Sequence, residues 1–352
     1  MKIAIITIVD YFNHGNRLQN YALQEKIKEI YPDAEIDTLG VFAKRGLYSL
    51  IKFSMLFKFL PVIKRIKRAK ELTINTQSLI HMDKLSKKNL SKFSNYDAFV
   101  IGSDQVWNPT FLDYPSLMFA LFADIEHCMS YSASFGVVSI PKGKLLTYKN
   151  GLNHLKYISV RENEASKLVD EILGSEKNIP VVLDPTLLLK KEDWLKYRVK
   201  FDKKPEKYIL TYFVAPKSWQ KKYIKNFSKK TGLKVVNCNN FFDKCFCNTC
   251  AEFVDLILDA EVVCTNSFHG HAMSIVLQKP FISFNSKKKT NSRIASLLKN
   301  LDLEKRQSNK LKDEDLFRLD YEPVNKRLDA EREKSFNFLK NSLDSIIGNK
   351  QK

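Results

Sequence analysis

Short apolar runs alternate with stretches of helical periodicity over the first half of the chain. Residues 2–8 form a β-branched run that predicts a strand, and residues 17–30 place apolar side chains at helical spacing. Further strands are predicted at residues 35–39, 96–102, 129–134, 157–160 and 180–183, and another helix at residues 162–173. This order predicts an α/β fold with an open parallel sheet.

The same alternation starts again near residue 207. The predicted strands are residues 208–214, 233–238 and 280–284 and a run ending at Thr265, and the predicted helices are residues 219–230, 251–260 and 325–347. A charged stretch at residues 186–206 separates the two halves. We therefore expect two doubly wound, Rossmann-like domains facing a cleft, residues 1–190 and 205–310. Residues 311–352 are expected to be a C-terminal helical segment, for which packing back on the first domain is one option.

Residues 43–72 interrupt this pattern with Phe and Leu side chains interleaved among lysines and arginines. We call this insert of the first domain the basic-apolar segment. Apolar bulk beside clustered positive charge is typical of a helix that lies in an anionic membrane interface. A helix that packs on the core and exposes a basic face is the alternative, which the sequence slightly favours.

The composition is that of a soluble globular protein, with 44% hydrophobic and 28% charged residues. There is no uncharged apolar run long enough for a transmembrane helix and no signal-peptide cleavage pattern, so we expect a cytoplasmic protein. The net charge of +19 suggests an anionic partner, such as phosphorylated substrates or a membrane surface. Nucleic acid is not expected, because no nucleic-acid-binding motif accompanies the dispersed lysines. A lysine bias of an AT-rich genome would explain the charge equally well.

Four of the six cysteines lie close together, at Cys238, Cys245, Cys247 and Cys250. The Cys-x-Cys-x-x-Cys spacing resembles half of a zinc site, but no second ligand pair follows at a suitable distance. Reduced structural thiols are therefore the preferred interpretation, and no metal is expected.

Polar clusters follow several predicted strands, at the edge where parallel α/β sheets bind ligands. Asn16 and Arg17 come after the first strand, although their turn has no dinucleotide-binding or P-loop glycine pattern. Asp104 and Trp107 follow the strand at residues 96–102, and this pair suits sugar recognition by a carboxylate and a stacking ring. A helix-capping Asp and a buried Trp are the alternative. Arg161 ends another strand and could hold a phosphate or carboxylate with two hydrogen bonds, or form a salt bridge to a neighbouring glutamate.

In the second half, residues 262–277 predict a strand, a tight turn and a helix start. Asn266, Ser267 and His269 would lie in or next to the turn, where helix N–H groups attract anions. A histidine there could bind a phosphate or carboxylate and transfer a proton. Helix capping by Asn266 or Ser267, with His269 packed locally, is an equally open alternative.

Taken in order, these motifs resemble the polysaccharide pyruvyl transferase family. The matching segments are residues 14–24 (HGNRLQNYALQ), 96–108 (YDAFVIGSDQVWN), 131–136 (YSASFG), 158–163 (ISVREN), 182–189 (VLDPTLLL), 252–270 and 291–298 (NSRIASLL). The resemblance implies a two-domain, GT-B-like α/β arrangement. It also implies transfer of pyruvate from phosphoenolpyruvate to sugar hydroxyls as a ketal, with release of phosphate.

The resemblance further implies roles for individual residues. Arg161 would contact phosphoenolpyruvate, His269 would match the family's active-site histidine, and Asp104 would lie on the sugar side. Some members have an arginine where this chain has Ser267, and Arg293 is a candidate to compensate. An acid, a base and cations are the groups that ketal formation needs, so no cofactor is expected beyond phosphoenolpyruvate as co-substrate.

The expected acceptor is a glycan of a cell-surface polysaccharide (a capsule or an exopolysaccharide), free or carried on a polyprenyl diphosphate. Peripheral attachment at the inner face of the membrane is an open extension of the cytoplasmic prediction. A nucleotide-sugar-dependent GT-B glycosyltransferase is the alternative enzyme. An inactive glycan-binding scaffold is the non-enzymatic alternative.

Overall fold

The computed structural model describes residues 1–9, 13–42, 67, 81–93, 95–110, 115–176, 178–240, 243–284 and 292–348. Apart from the exposed, helical Lys67, the basic-apolar segment lies outside the described residues. The prediction of a membrane-interface helix, or of a helix packed on the core, therefore falls on residues outside those that the structure describes. The chain divides into two units. The first comprises Met1–Lys52, Ile74–Leu188 and Asp329–Lys352, and the second comprises Phe53–Thr73 and Leu189–Leu328.

The first unit is built on a five-stranded parallel sheet in the order β3-β2-β1-β4-β5. Its strands are β1 (Lys2–Val9), β2 (Glu35–Phe42), β3 (Met82–Lys84), β4 (Ala98–Ile101) and β5 (Cys128–Ser130). Its helices are α1 (His14–Ile30), α2 (Leu145–Asn153), α3 (Asn163–Leu173) and the single turn α4 (Pro185–Leu188). Short 3-10 turns occur at Leu90–Phe93, Pro115–Phe119, Ile125–His127 and Lys142–Lys144.

Strand β1 is apolar without alternation because both of its faces are buried. Ile3 and Ile5 pack into one core, whereas Ala4 and Ile6 pack into the core on the opposite face of the sheet. Such burial on both faces is the usual environment of a central parallel strand. It explains why the sequence shows a continuous apolar run here.

Beyond β5 the sheet continues only as isolated bridges. Met129 pairs with Tyr157, and Val160 pairs with both Ala133 and Val181, all in the parallel sense. The runs at residues 157–160 and 180–183, which the sequence predicts to be strands, therefore occupy strand-like positions without forming regular strands. Val160 places the following residue, Arg161, at the carboxyl edge of the sheet.

The second unit repeats the parallel arrangement with four strands in the order β7-β6-β8-β9. Its strands are β6 (Tyr208–Tyr212), β7 (Lys234–Asn237), β8 (Val262–Thr265) and β9 (Phe281–Ser283). Its helices are α5 (Lys191–Tyr197), α6 (Ser218–Thr231), α7 (Cys250–Leu258), α8 (Phe268–Val276) and α9 (Ser292–Asn300), with 3-10 turns at Glu304–Arg306 and Asp313–Asp315. The predicted class of two α/β units with parallel sheets is confirmed.

The last helix, α10 (Glu322–Gly348), is 27 residues long. Its C-terminal part belongs to the first unit, where Leu339, Leu343 and Ile346 join the core that contains Ile3 and Ile5. Within the described part of the chain, no helix is both long enough and apolar enough to cross a membrane.

Candidate active site

A buried charged cluster lies at the carboxyl edge of the first sheet. Arg161 donates through Nη1 to Asp184 Oδ2 at 2.7 Å and through Nη2 to Asp104 Oδ1 at 3.2 Å. Its Nε lies 3.8 Å from Glu162 Oε2. We call these four residues the Arg161 cluster. Arg161, Asp104, Asp184 and Glu162 are all buried, and the fork of the guanidinium is directed at the carboxylates of Asp104 and Asp184.

The Arg161 cluster places three carboxylates around one guanidinium. Burial alone would lower the pKa of Arg161, but Asp104, Asp184 and Glu162 raise it overall. Arg161 is therefore permanently charged and forms ion pairs with these carboxylates. The contact of Arg161 with phosphoenolpyruvate stays a prediction, and in this structure the guanidinium orients Asp104 and Asp184.

Asn16 lies beside the same cluster, on the first turn of α1. Its side-chain amide donates to Asp104 Oδ2, so Asn16 and Arg161 hold the two oxygens of one carboxylate. Asn16 Oδ1 and Ser132 Oγ are buried and have no hydrogen-bond partner among the described residues. Buried polar atoms are nearly always satisfied, so each of these atoms indicates a place for a polar ligand or water.

Arg17 and Trp107 are also buried in the first unit. Arg17 is buried on α1, and its Nη1 lies 3.8 Å from Met82 Sδ. Trp107 is completely buried, stacks on Phe119 at a centroid distance of 5.3 Å and donates its indole N–H to Met118 O. A ring enclosed in this way has no face open to a sugar. The stacking role predicted for Trp107 is therefore wrong, and the buried-Trp alternative holds.

In the second unit, β8 ends in a tight turn that leads directly into α8. Thr265 Oγ1 accepts a hydrogen bond from Ser267 N at 3.0 Å and donates to Tyr212 O at 2.6 Å. The helix passes so close to the strand that a Cβ on Gly270 would lie 2.2 Å from Thr265 Oγ1. Only glycine fits at this position, and the close approach fixes where the first turn of α8 begins.

Ser267 is the N-cap residue of α8, and His269 follows in the first turn. Both residues are buried, with 8% and 5% of their surface exposed, and His269 packs edge-on against the Phe268 ring. Ser267 makes no side-chain capping hydrogen bond, so its hydroxyl is not committed to the helix. Ser267 and His269 thus lie together at a helix N-terminus, where the dipole favours anions.

The second histidine of this motif, His271, has a structural role. Its Nδ1 lies 2.7 Å from Ser267 O, so Nδ1 carries the proton and donates it to that carbonyl. Burial lowers the pKa of His271 to about 4, and the hydrogen bond to Ser267 opposes this only partly. His271 is therefore neutral at pH 7 and helps to fix the turn that carries His269.

Asn266 holds a neighbouring loop, and Arg293 lies on α9. The side chain of Asn266 accepts from Val214 N at 2.7 Å and donates to Val214 O at 3.0 Å. Its amide holds the loop after β6, and its substrate contact stays a prediction. Arg293 is half-buried on α9, and its role in phosphate binding stays a prediction.

Sequence reasoning missed Asp184, which lies at the centre of the Arg161 cluster. Its other oxygen accepts from Thr186 N and Oγ1, so the carboxylate is fixed from two sides. The Asp184-Pro185 pair was visible in the sequence as the end of a predicted strand. Only its position at the carboxyl edge of the sheet would have pointed to a functional role.

The four neighbouring cysteines, Cys238, Cys245, Cys247 and Cys250, are buried thiols in the second unit. Cys238, Cys245 and Cys247 donate to the backbone oxygens of Thr211, Lys203 and Cys238, respectively. Burial raises the pKa of Cys245 to about 11, which keeps this thiol protonated. Within the described part of the chain, no group of three or more His, Cys, Asp or Glu side chains could hold a metal ion.

We expect replacement of Cys245, Cys247 and Cys250 by serine to leave turnover within a few-fold of the parent, because the ketal formation that the family resemblance implies needs an acid and a base but no thiolate. Initial rates and a thermal melt would check this, and the matching alanine variant controls for the burial of serine hydroxyls. Complete loss of activity in a folded variant, or stoichiometric zinc in the purified parent, would contradict the expectation.

Comparison with known protein families assigns the class of the protein. The polysaccharide pyruvyl transferase model matches residues 13–288, a span that includes every residue of the Arg161 cluster and of the Ser267–His269 turn. The chain belongs to the polysaccharide pyruvyl transferase family, which confirms the resemblance seen in its motifs. A comparison with curated proteins gives no significant match.

Several solved structures are similar at low sequence identity. UDP-GlcNAc 2-epimerase from Neisseria meningitidis, bound to UDP-GlcNAc, has a TM-score of 0.48 and 11% identity over 95% of this chain and 99% of that chain. UDP-N-acetylglucosamine 2-epimerase from Rickettsia bellii has a TM-score of 0.47 and 9% identity over 98% and 97%. The ADP-heptose LPS heptosyltransferase II of E. coli has a TM-score of 0.41 and 12% identity over 95% and 99%.

Proposed function

We propose that this protein transfers pyruvate from phosphoenolpyruvate to a sugar of a cell-surface polysaccharide or of its precursor, forming a cyclic ketal and releasing phosphate. Membership of the polysaccharide pyruvyl transferase family supports the reaction class. The observation that carries the site assignment is the buried Asp104 carboxylate, held by Asn16 on one oxygen and by Arg161 on the other.

Each step of the proposed reaction needs a particular group. The methylene carbon of phosphoenolpyruvate takes up a proton, and a sugar hydroxyl oxygen bonds to the carbon that carries the phosphate. A second hydroxyl of the same sugar then forms the other C–O bond while the C–O bond to phosphate breaks. A base must receive the hydroxyl protons, and an acid must supply the proton for carbon.

The first unit has the properties of the acceptor side. Asp104 is the base, and Asn16 and Arg161 fix its orientation. Asn16 Oδ1 and Ser132 Oγ are buried polar atoms that sugar hydroxyls would satisfy.

The second unit has the properties of the phosphoenolpyruvate side. Ser267 and the N-terminal amides of α8 would receive the phosphate or the carboxylate, and His269 in the first turn would supply the proton. This chemistry uses no nucleotide. The acceptor glycan, free or attached to a polyprenyl diphosphate, would reach the enzyme from the cytoplasmic side of the membrane.

Product analysis tests the proposal. The enzyme is incubated with phosphoenolpyruvate and chemically depyruvylated polysaccharide fragments from the producing strain, and phosphate release is measured together with the mass of the glycan. We expect acceptor-dependent phosphate release and a glycan heavier by one pyruvate ketal. Turnover of a nucleotide sugar with release of nucleotide, and none with phosphoenolpyruvate, would instead show a glycosyltransferase.

A further inference from the structure

Helix α6 and its flanks carry an unusually one-sided charge. Residues 207–242 contain eight lysines and no aspartate or glutamate. Six of these lysines lie between residues 217 and 230, on α6 or at its N-cap. The helix belongs to the second unit, and none of the roles proposed above involves it.

The lysines cover the outer face of the helix. Gln220, Ile224 and Phe227 point inward and are buried, which anchors α6 on the core. The exposed lysines at positions 217, 221, 222, 225 and 229 have no acidic group within 4 Å among the described residues; we call these five the lysine face. Lys230 differs from them, because its Nζ pairs with Asp313 at 2.5 Å.

Folding alone does not account for this arrangement. Lys217 is the N-cap of α6, and Lys221 and Lys222 follow within the next five residues, where the positive end of the helix dipole disfavours cations. Lys221 and Lys225 are four residues apart, as are Lys225 and Lys229, and like charges at this spacing repel each other. An external anionic partner would compensate these charges.

Apolar side chains are exposed at the same end of the helix. Trp219 is 44% exposed and rests against Phe284 at a centroid distance of 5.9 Å, so the ring is supported from one side. Val214, in the loop that leads to the helix, is 62% exposed, and its backbone is held by Asn266. Tryptophan beside lysine is a combination typical of the boundary between headgroups and acyl chains.

We propose that the lysine face, with Trp219 and Val214 at its N-terminal end, docks the protein on a bilayer rich in anionic phospholipids. Clustered lysines are attracted by the negative surface potential of such a leaflet. The side chains of Trp219 and Val214 enter the boundary between headgroups and acyl chains. A soluble acidic polymer would neutralise the charges of the lysine face but would leave Trp219 and Val214 exposed. The proposal is independent of the catalytic assignment, because no residue of the lysine face is given a part in it.

Vesicle flotation of the full chain tests this docking surface. The probes are vesicles of phosphatidylcholine alone and of phosphatidylcholine with phosphatidylglycerol, at low and at high salt. We expect Lys221→Gln/Lys222→Gln/Lys225→Gln to weaken partition onto the anionic vesicles by about 10- to 100-fold at low salt. The control is Lys149→Gln/Lys196→Gln/Lys200→Gln, which removes the same charge from exposed lysines elsewhere and should bind nearly as the parent does.

A second pair of variants separates the apolar contribution. Trp219→Ser should reduce the binding that survives high salt, whereas Leu146→Ser, which alters a 71% exposed apolar residue of the first unit, should not. Thermal melts establish that the variants are folded. Equal binding by the two triple variants, equal binding to neutral and anionic vesicles, or no vesicle binding by the parent would overturn the proposal. Binding of a soluble acidic polysaccharide in place of vesicles would also overturn it.

Discussion

Replacing His269 by alanine should lower turnover about a hundredfold or more, the usual contribution of a positioned general acid or base. His269 lies in the first turn of α8 beside the N-cap Ser267, and the approach of Gly270 to Thr265 fixes this turn. The imidazole is therefore held at the point where anions bind the helix terminus. Loss of the ring removes a proton donor, and the backbone amides that would bind phosphoenolpyruvate remain.

The measurement is acceptor-dependent phosphate release, accompanied by a thermal melt. His269→Gln keeps a polar side chain without proton transfer and should be as slow as the alanine variant. His127→Ala, which removes a half-buried histidine from the first unit, is the matched control and should turn over normally. If His269→Ala melts and turns over like the parent, His269 has no catalytic role.

Replacing Arg161 by leucine should destabilise the protein by about 3–5 kcal/mol, the usual cost of removing one partner from a buried charge network. Only 1% of the Arg161 side chain is exposed, and its removal would take away the cation that pairs with Asp104, Asp184 and Glu162. This cost is a large fraction of the free energy of unfolding of an ordinary domain. The midpoint of urea unfolding, followed by circular dichroism, should fall accordingly.

Two further variants make this expectation specific. Arg198→Leu also removes an arginine that pairs with two carboxylates, Asp255 and Asp259. That arginine is 31% exposed, and Lys204 still pairs with both carboxylates, so the loss of stability should be much smaller. Arg161→Lys keeps one charge without the two-pronged fork and should fold, with turnover reduced because Asp104 is less firmly held. An Arg161→Leu variant as stable as the parent would show that the cluster does not need the arginine. A specific rise in the KM for phosphoenolpyruvate in Arg161→Lys would instead support the predicted direct contact of Arg161 with phosphoenolpyruvate.

The elements of the fold could be predicted from the sequence because their signals are local. A parallel strand buried on both faces is a continuous apolar run, and β1, β6 and β8 were predicted from such runs. The glycine after His269 and the β-branched residues before Asn266 likewise predicted a strand, a turn and a helix start. Family membership was visible for the same reason, since each motif is a contiguous run of residues.

The sequence by itself determined the class of fold, the family and the residues that lie at strand ends. The tertiary structure decided how those residues are used, because their partners are distant along the chain. Arg161 is committed to Asp104 and Asp184, and Asn266 is committed to the backbone of Val214. Trp107 is enclosed by Phe119 and Phe135. The end of a strand places a side chain at the edge of the sheet. The neighbouring side chains, which come from distant parts of the chain, decide whether that side chain can contact a ligand.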